Sequence, residues 1–177
     1  MSDYKVLNEG TLKTTKQKFS ELSQADEILT FSESHNAVSP SQLFAYANGA
    51  KNEYVEKALS EDLNLRCIHR DLVKRGAVYY VPEVRAASSD LIVSREGRGC
   101  RIRMEPSRAE PDQVYVIIEL FGDEKTLPTM LVVCDVESNC SRFPLPKVRD
   151  GVVQIIADRD ADLVRLLSNP KTEAFIR

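Results

Sequence analysis

The sequence predicts an α+β protein: a small N-terminal helical unit followed by an antiparallel β-sandwich or small barrel of about seven strands, with a short C-terminal helix. Three observations carry this. Apolar residues recur at three-and-four spacing between residues 39 and 76, the apolar period drops to two after Gly76, and turn residues then punctuate the chain to its end. Across 177 residues a hydrophobic share of 42% is enough for a buried core. Domains of roughly 100 to 150 residues leave room for one domain with an extension or for two small units. The chain divides into a polar, mobile tail over 1–38, a helical module over 39–76 and a β-rich domain over 77–177.

The tail holds four basic and six acidic side chains and only scattered apolar positions, so it has little to bury. Ser39-Pro40-Ser41-Gln42 starts the first helix: Ser39 can cap, Pro40 suits the first helical position and Gln42 completes a capping box. Leu43, Phe44 and Ala47 share a face, and Gly49 is a stop. A second apolar series runs through Tyr54, Val55, Ala58 and Leu59, breaks at Ser60-Glu61-Asp62, and resumes at Leu65, Ile68, Leu72 and Val73. The module therefore contains two or three helices.

Beyond Gly76, short segments rich in β-branched or aromatic residues lie at 77–81, 91–95, 100–104, 114–121, 130–136, 142–145 and 152–157. Glu96-Gly97-Arg98-Gly99, Glu105-Pro106-Ser107, Gly122-Asp123-Glu124, Glu137-Ser138-Asn139 and Asp150-Gly151 separate them. Asp160-Ala161-Asp162 starts a short helix through Leu167, Asn169-Pro170 stops it, and residues 173–176 form a last strand.

Charge and motif content exclude several classes. With 24 Lys+Arg against 27 Asp+Glu there is no general attraction to phosphate backbones, and nucleic acid is an unlikely partner. No apolar run reaches the ~18 residues of a membrane span, and the first residues lack the basic-then-apolar order of an export signal, so the expected location is cytoplasmic. Cys67, Cys100, Cys134 and Cys140, with His35 and His69, form no paired-ligand spacing for zinc; neither a metal nor any other cofactor is expected. Cys134 and Cys140 flank a hairpin turn and could come close across it; in a reducing cytoplasm they read as two free thiols, with a disulfide as the alternative if the domain is exported. Asp158-Arg159-Asp160-Ala161-Asp162 alternates like a calcium loop but has Leu163 and Asn169 where Gly and Glu belong. No nucleophile motif occurs and no histidine follows residue 76, which argues against triad chemistry.

Two residue clusters stay open. Arg95, Arg98, Arg101, Arg103 and Arg108 fall within fourteen residues, and strand alternation sets Arg101 and Arg103 on one face, where they can grip an anion bidentately or pair with neighbouring acids. Glu119, Asp123, Glu124, Asp135 and Glu137 keep an unrecognised two-carboxylate hydrolase as a further alternative.

The stretch Leu43-Phe44-Ala45-Tyr46-Ala47-Asn48-Gly49, with Val55-Glu56-Lys57-Ala58-Leu59 and Asp62-Leu63-Asn64-Leu65-Arg66, resembles the helical N-terminal segment of zinc-less anti-sigma factors. The resemblance covers residues 43–66, and the zinc-binding H-x3-C-x2-C of other members is absent. It implies a helical module that clasps another protein, with a sigma factor as the partner type. Tyr46, Val55, Leu59, Leu65 and Ile68 are then the candidate contact or core positions. The expected function is a non-enzymatic, soluble regulatory or interaction protein. A β domain that binds anions or small ligands through Arg101 and Arg103 is the alternative.

Overall fold

The computed structural model describes residues 38–83, 94–122 and 127–177. The expected tail, except for Val38, lies outside the described residues. So do His35, Leu91 to Val93 at the start of the second expected strand, and Asp123 and Glu124.

Three helices open the described chain, each started by a side-chain cap. Ahead of α1 (Pro40–Ala47), Ser39 Oγ accepts from the Gln42 amide at 3.2 Å while Gln42 Oε1 accepts from the Ser39 amide at 2.9 Å, the reciprocal pair expected from the sequence. Asn52 Oδ1 accepts from the amides of Tyr54 and Val55 and starts α2 (Glu53–Glu61), where Glu53 and Glu56 suit the positive end of the helix dipole. Asp62 is the joint. It ends α2 in extended geometry, and its Oδ1 accepts from the amides of Asn64 and Leu65 to start α3 (Leu63–Arg75), whose last turn carries Lys74 and Arg75.

Eight strands follow: β1 (Tyr79–Val81), β2 (Ser94–Gly97), β3 (Cys100–Pro106), β4 (Gln113–Leu120), β5 (Met130–Cys134), β6 (Cys140–Pro144), β7 (Val152–Asp158) and β8 (Glu173–Ile176), with α4 (Asp162–Ser168) before the last. They form two four-stranded antiparallel sheets, β1-β8-β5-β6 and β2-β3-β4-β7. The barrel alternative is not realised, because the sheets do not close on one another. Among the described residues, a bridge between Tyr80 and Arg98 links them at one corner. There a Cβ on Gly97 would lie 2.3 Å from the Tyr80 carbonyl oxygen, so no side chain fits without parting the strands. At Asp150-Gly151 both residues have positive φ (50° and 75°), and Arg149 and Val152 exchange backbone hydrogen bonds across them, as in a type I′ hairpin turn.

Alternation determines which residues are buried. Cys100, Ile102 and Met104 of β3 and Val114, Val116 and Ile118 of β4 join Leu131 and Val133 of β5 and Ala174 and Ile176 of β8 in one apolar cluster, closed at one end by Leu163, Val164 and Leu167 of α4. β5 and β8 are buried on both faces. Their other sides, Val132, Cys134 and Phe175, meet Ala47 and Val73 from the helices in a second cluster. The helical unit is thus a layer laid over the β1-β8-β5-β6 sheet. No helix among the described residues is long and apolar enough to cross a membrane.

Candidate binding site between the helices and the β5–β6 hairpin

The contact between α3 and the β5–β6 hairpin concentrates the polar chemistry of the described chain. The five residues joining β5 to β6 are organised by Asp135. Its Oδ1 accepts from the amides of Glu137 and Asn139, both at 2.9 Å, and its Oδ2 accepts from the Asn139 side-chain amide at 3.0 Å. Ser138 sits in the left-handed region (φ 62°) and is 3% exposed, because α3 closes over it. Arg66 Nε donates to the Glu137 carbonyl at 3.0 Å, Arg70 Nη1 to Ser138 Oγ at 3.4 Å, and Cys67 Sγ lies 3.7 Å from Ser138 Oγ.

Directly opposite in register, Cys134 and Cys140 form a disulfide. This corrects the free-thiol expectation. Cross-strand register brings the two β-carbons together, whereas the sequence argument rested on a presumed compartment. Cys67 and Cys100 remain free, Cys67 exposed and Cys100 buried, where desolvation raises the Cys100 thiol to about 11.

Between this hairpin and α1–α3 lies a cleft of about 210 Å³, lined among others by Tyr46, Glu56, Arg66, His69, Asn139 and Cys140. His69 is 2% exposed. Its ring packs on Tyr46 with centroids 5.3 Å apart, and its Nε2 lies 3.4 Å from Arg142 Nη2. A guanidinium can only donate, so Nε2 is the acceptor and Nδ1 carries the proton. Burial, then the charges of Arg142 and Arg177, lower its pKa to about 4. A base that weak is poorly matched to proton transfer near pH 7. Tyr46 is half-buried, with Arg142 stacked 3.9 Å from its ring centroid, and desolvation raises its pKa.

Beside the cleft, Glu173 is the one carboxylate buried among the described residues. Arg70 Nε donates to its Oε2 at 2.7 Å, the Tyr80 hydroxyl donates to Oε1, and Lys74 Nζ lies 3.9 Å away. Burial raises the Glu173 pKa, but the hydrogen bonds from Tyr80 and Arg70 and the nearby positive charges outweigh it and hold the carboxyl below the ordinary range. Tyr80 is pushed up to about 12 by desolvation and by Glu173.

The residues singled out from the sequence divide by burial. Val55 is fully buried, Leu59, Leu65 and Ile68 are half-buried, and Tyr46 and Leu59 line the cleft. Phe44 (60% exposed), Tyr54 and Leu63 (53%) point outward from the same three helices. Arg101 and Arg103 share the outer face of β3, as alternation requires, and acids meet them there: Arg101 pairs with Glu96 at 2.7 Å, Arg103 with Glu105 at 2.7 Å and with Glu119 at 2.9 Å. Arg95, 2% exposed, is an interior crosslink whose guanidinium donates to Thr172 Oγ1 at 2.9 Å, to the Pro82 carbonyl at 2.9 Å and to the Thr172 carbonyl. Of the acids considered for hydrolysis, Glu119 is paired to arginine and Asp135 folds its own hairpin.

Sequence reasoning missed the pairing of His69 with Arg142 and of Glu173 with Arg70 and Tyr80, because the partners are far apart in the chain and no local motif joins them. Compared with protein-family models, with curated proteins and with solved structures, the chain matches none.

Proposed function

We propose that this is a non-enzymatic regulatory protein, anti-sigma-like in its helical module, that binds a partner protein through the outward surface of α1–α3. The two sheets serve as a sandwich-like scaffold beneath it. One observation carries the reading: the three helices bury Leu43, Ala47, Val55 and Val73 but leave Phe44, Tyr54 and Leu63 substantially exposed. Large apolar side chains held outward by capped helices are what a helix-face interface uses. The cleft at the foot of the helices, with Tyr46, Glu56, Arg66 and Leu59, supplies polar and apolar recognition next to that surface. A sigma factor is the partner class that the resemblance of residues 43–66 suggests.

The test is affinity capture from the native cell, identification of the captured protein, and titration of the purified pair. Burial of each exposed apolar side chain contributes about 1.5–3 kcal/mol. Phe44→Asp with Leu63→Asp is therefore expected to weaken the complex by more than about 100-fold while the far-UV circular dichroism stays unchanged. Undiminished affinity in a folded double variant overturns the proposal.

A further inference from the structure

Arg142 and Arg177 are the arginine pair without acids. Both guanidiniums sit at the C-terminal end of α1, where Arg142 Nη2 donates to the Tyr46 carbonyl at 2.6 Å and Arg177 donates to the Ala47 carbonyl and to Asn48 Oδ1. Among the described residues neither makes an ion pair with an aspartate or glutamate, in contrast to Arg101 and Arg103. The end of a helix carries roughly half a negative charge, so it balances only a fraction of two full positive charges. The surplus is felt locally. Burial and then Arg142 lower the Arg177 pKa, and the same two arginines help keep His69 neutral. Glu56, on the helical side, contacts the Tyr46 hydroxyl and is exposed.

The two side chains open onto a pocket of about 110 Å³, lined also by Ala47, Gly49, Thr129 and Met130. That is several times the ~30 Å³ of a liquid water. Arg142 uses only Nη2 in protein hydrogen bonds, and Arg177 uses only part of its Nη1 and Nη2. Each therefore has N–H groups left for a ligand in the planar fork that matches phosphate and carboxylate oxygens. Thr129 adds a hydroxyl at the rim, and Met130 and Ala47 give the pocket an apolar wall.

We propose that this pocket is an oxyanion-binding site, in which Arg142 and Arg177 together hold a phosphate or carboxylate group. The site is independent of the helical surface proposed to bind a protein, because it uses neither Phe44 nor Leu63.

The full chain is titrated with sodium phosphate, sodium acetate or sodium chloride at equal ionic strength, following the thermal midpoint and calorimetric heat. A phosphate response above chloride with none from acetate assigns a phosphate group, and the reverse assigns a carboxylate. Arg142→Gln is expected to weaken binding at least tenfold, whereas Arg101→Gln with Arg103→Gln leaves it unchanged. Because Arg142 also caps α1, Thr129→Glu is the second variant. It places a tethered carboxylate at the rim and is expected to abolish the response in a folded protein. Oxyanions that do no more than chloride overturn the site, as does a response that survives Thr129→Glu.

Discussion

His69 is fixed by three neighbours: the Tyr46 ring, the Arg142 guanidinium that donates to it, and the more distant charge of Arg177. Its folded pKa of about 4 lies below the ordinary 6.5. The unfolded chain therefore takes up a proton first as pH falls, and stability present above pH 6.5 is lost on the way to pH 4. Between pH 7 and pH 5 the loss amounts to about 2 kcal/mol. Urea denaturation of His69→Gln at those two pH values is expected to show that slope flattened relative to the unsubstituted protein, and an unchanged slope refutes the assignment. The apolar spacing from Leu65 to Val73 put His69 within a helix, and the structure agrees, with His69 buried there. What lay beyond reach was Arg142, seventy-three positions away, which decides both the tautomer and the charge of the ring.

The start of α1 was legible because a cap is a local event and Ser39 reaches only three residues forward; the joint at Ser60 to Asp62 was read as a break, while the caps by Asn52 and Asp62 emerged only in the structure. The strands were legible from their alternation, except that β5 and β8 bury both faces and give no period-two signal of which side meets the helices. The β5–β6 hairpin was read as a turn, yet its disulfide was not, since pairing depends on register and the sequence alone left that open. The bridge closes a separation of six residues. For so short a loop the chain-entropy cost removed from the unfolded state is about 2 kcal/mol. Dithiothreitol is therefore expected to lower the urea stability by about that amount. Thiol titration of the denatured, unreduced protein is expected to find two reactive thiols, Cys67 and Cys100, and four would show that the bridge is absent.

At the scale of the whole molecule, the boundary drawn at Gly76 marks a change of secondary structure across which packing continues. Val73 and Ala47 are buried against Val132 and Phe175, and Arg66, Arg70 and Arg142 tie helices to strands. A fragment of residues 77–177 would uncover Val132, Cys134 and Phe175 and leave Glu173 without Arg70. It is expected to bind 8-anilinonaphthalene-1-sulfonate and to self-associate in sedimentation, whereas the longer chain does neither. A monomeric, dye-silent fragment would show that the β region stands alone. Period and turn chemistry predicted two kinds of structure in the right order but carried no information on how they stack, because stacking is chosen by side chains far apart in the chain.

The position of β8 bears on how the molecule is made. Residues 173–176 lie between β1 and β5, in the interior of their sheet, and Thr172 just before them receives the buried Arg95. A ribosome releases these residues after every strand they join. Until then β1 has no strand partner in its sheet, the cover supplied by α1–α3 has no Phe175 to rest on, and Arg95 lacks its main acceptors. Completion of this sheet thus waits for residues 173–176, and until they are made β5 has only β6 beside it.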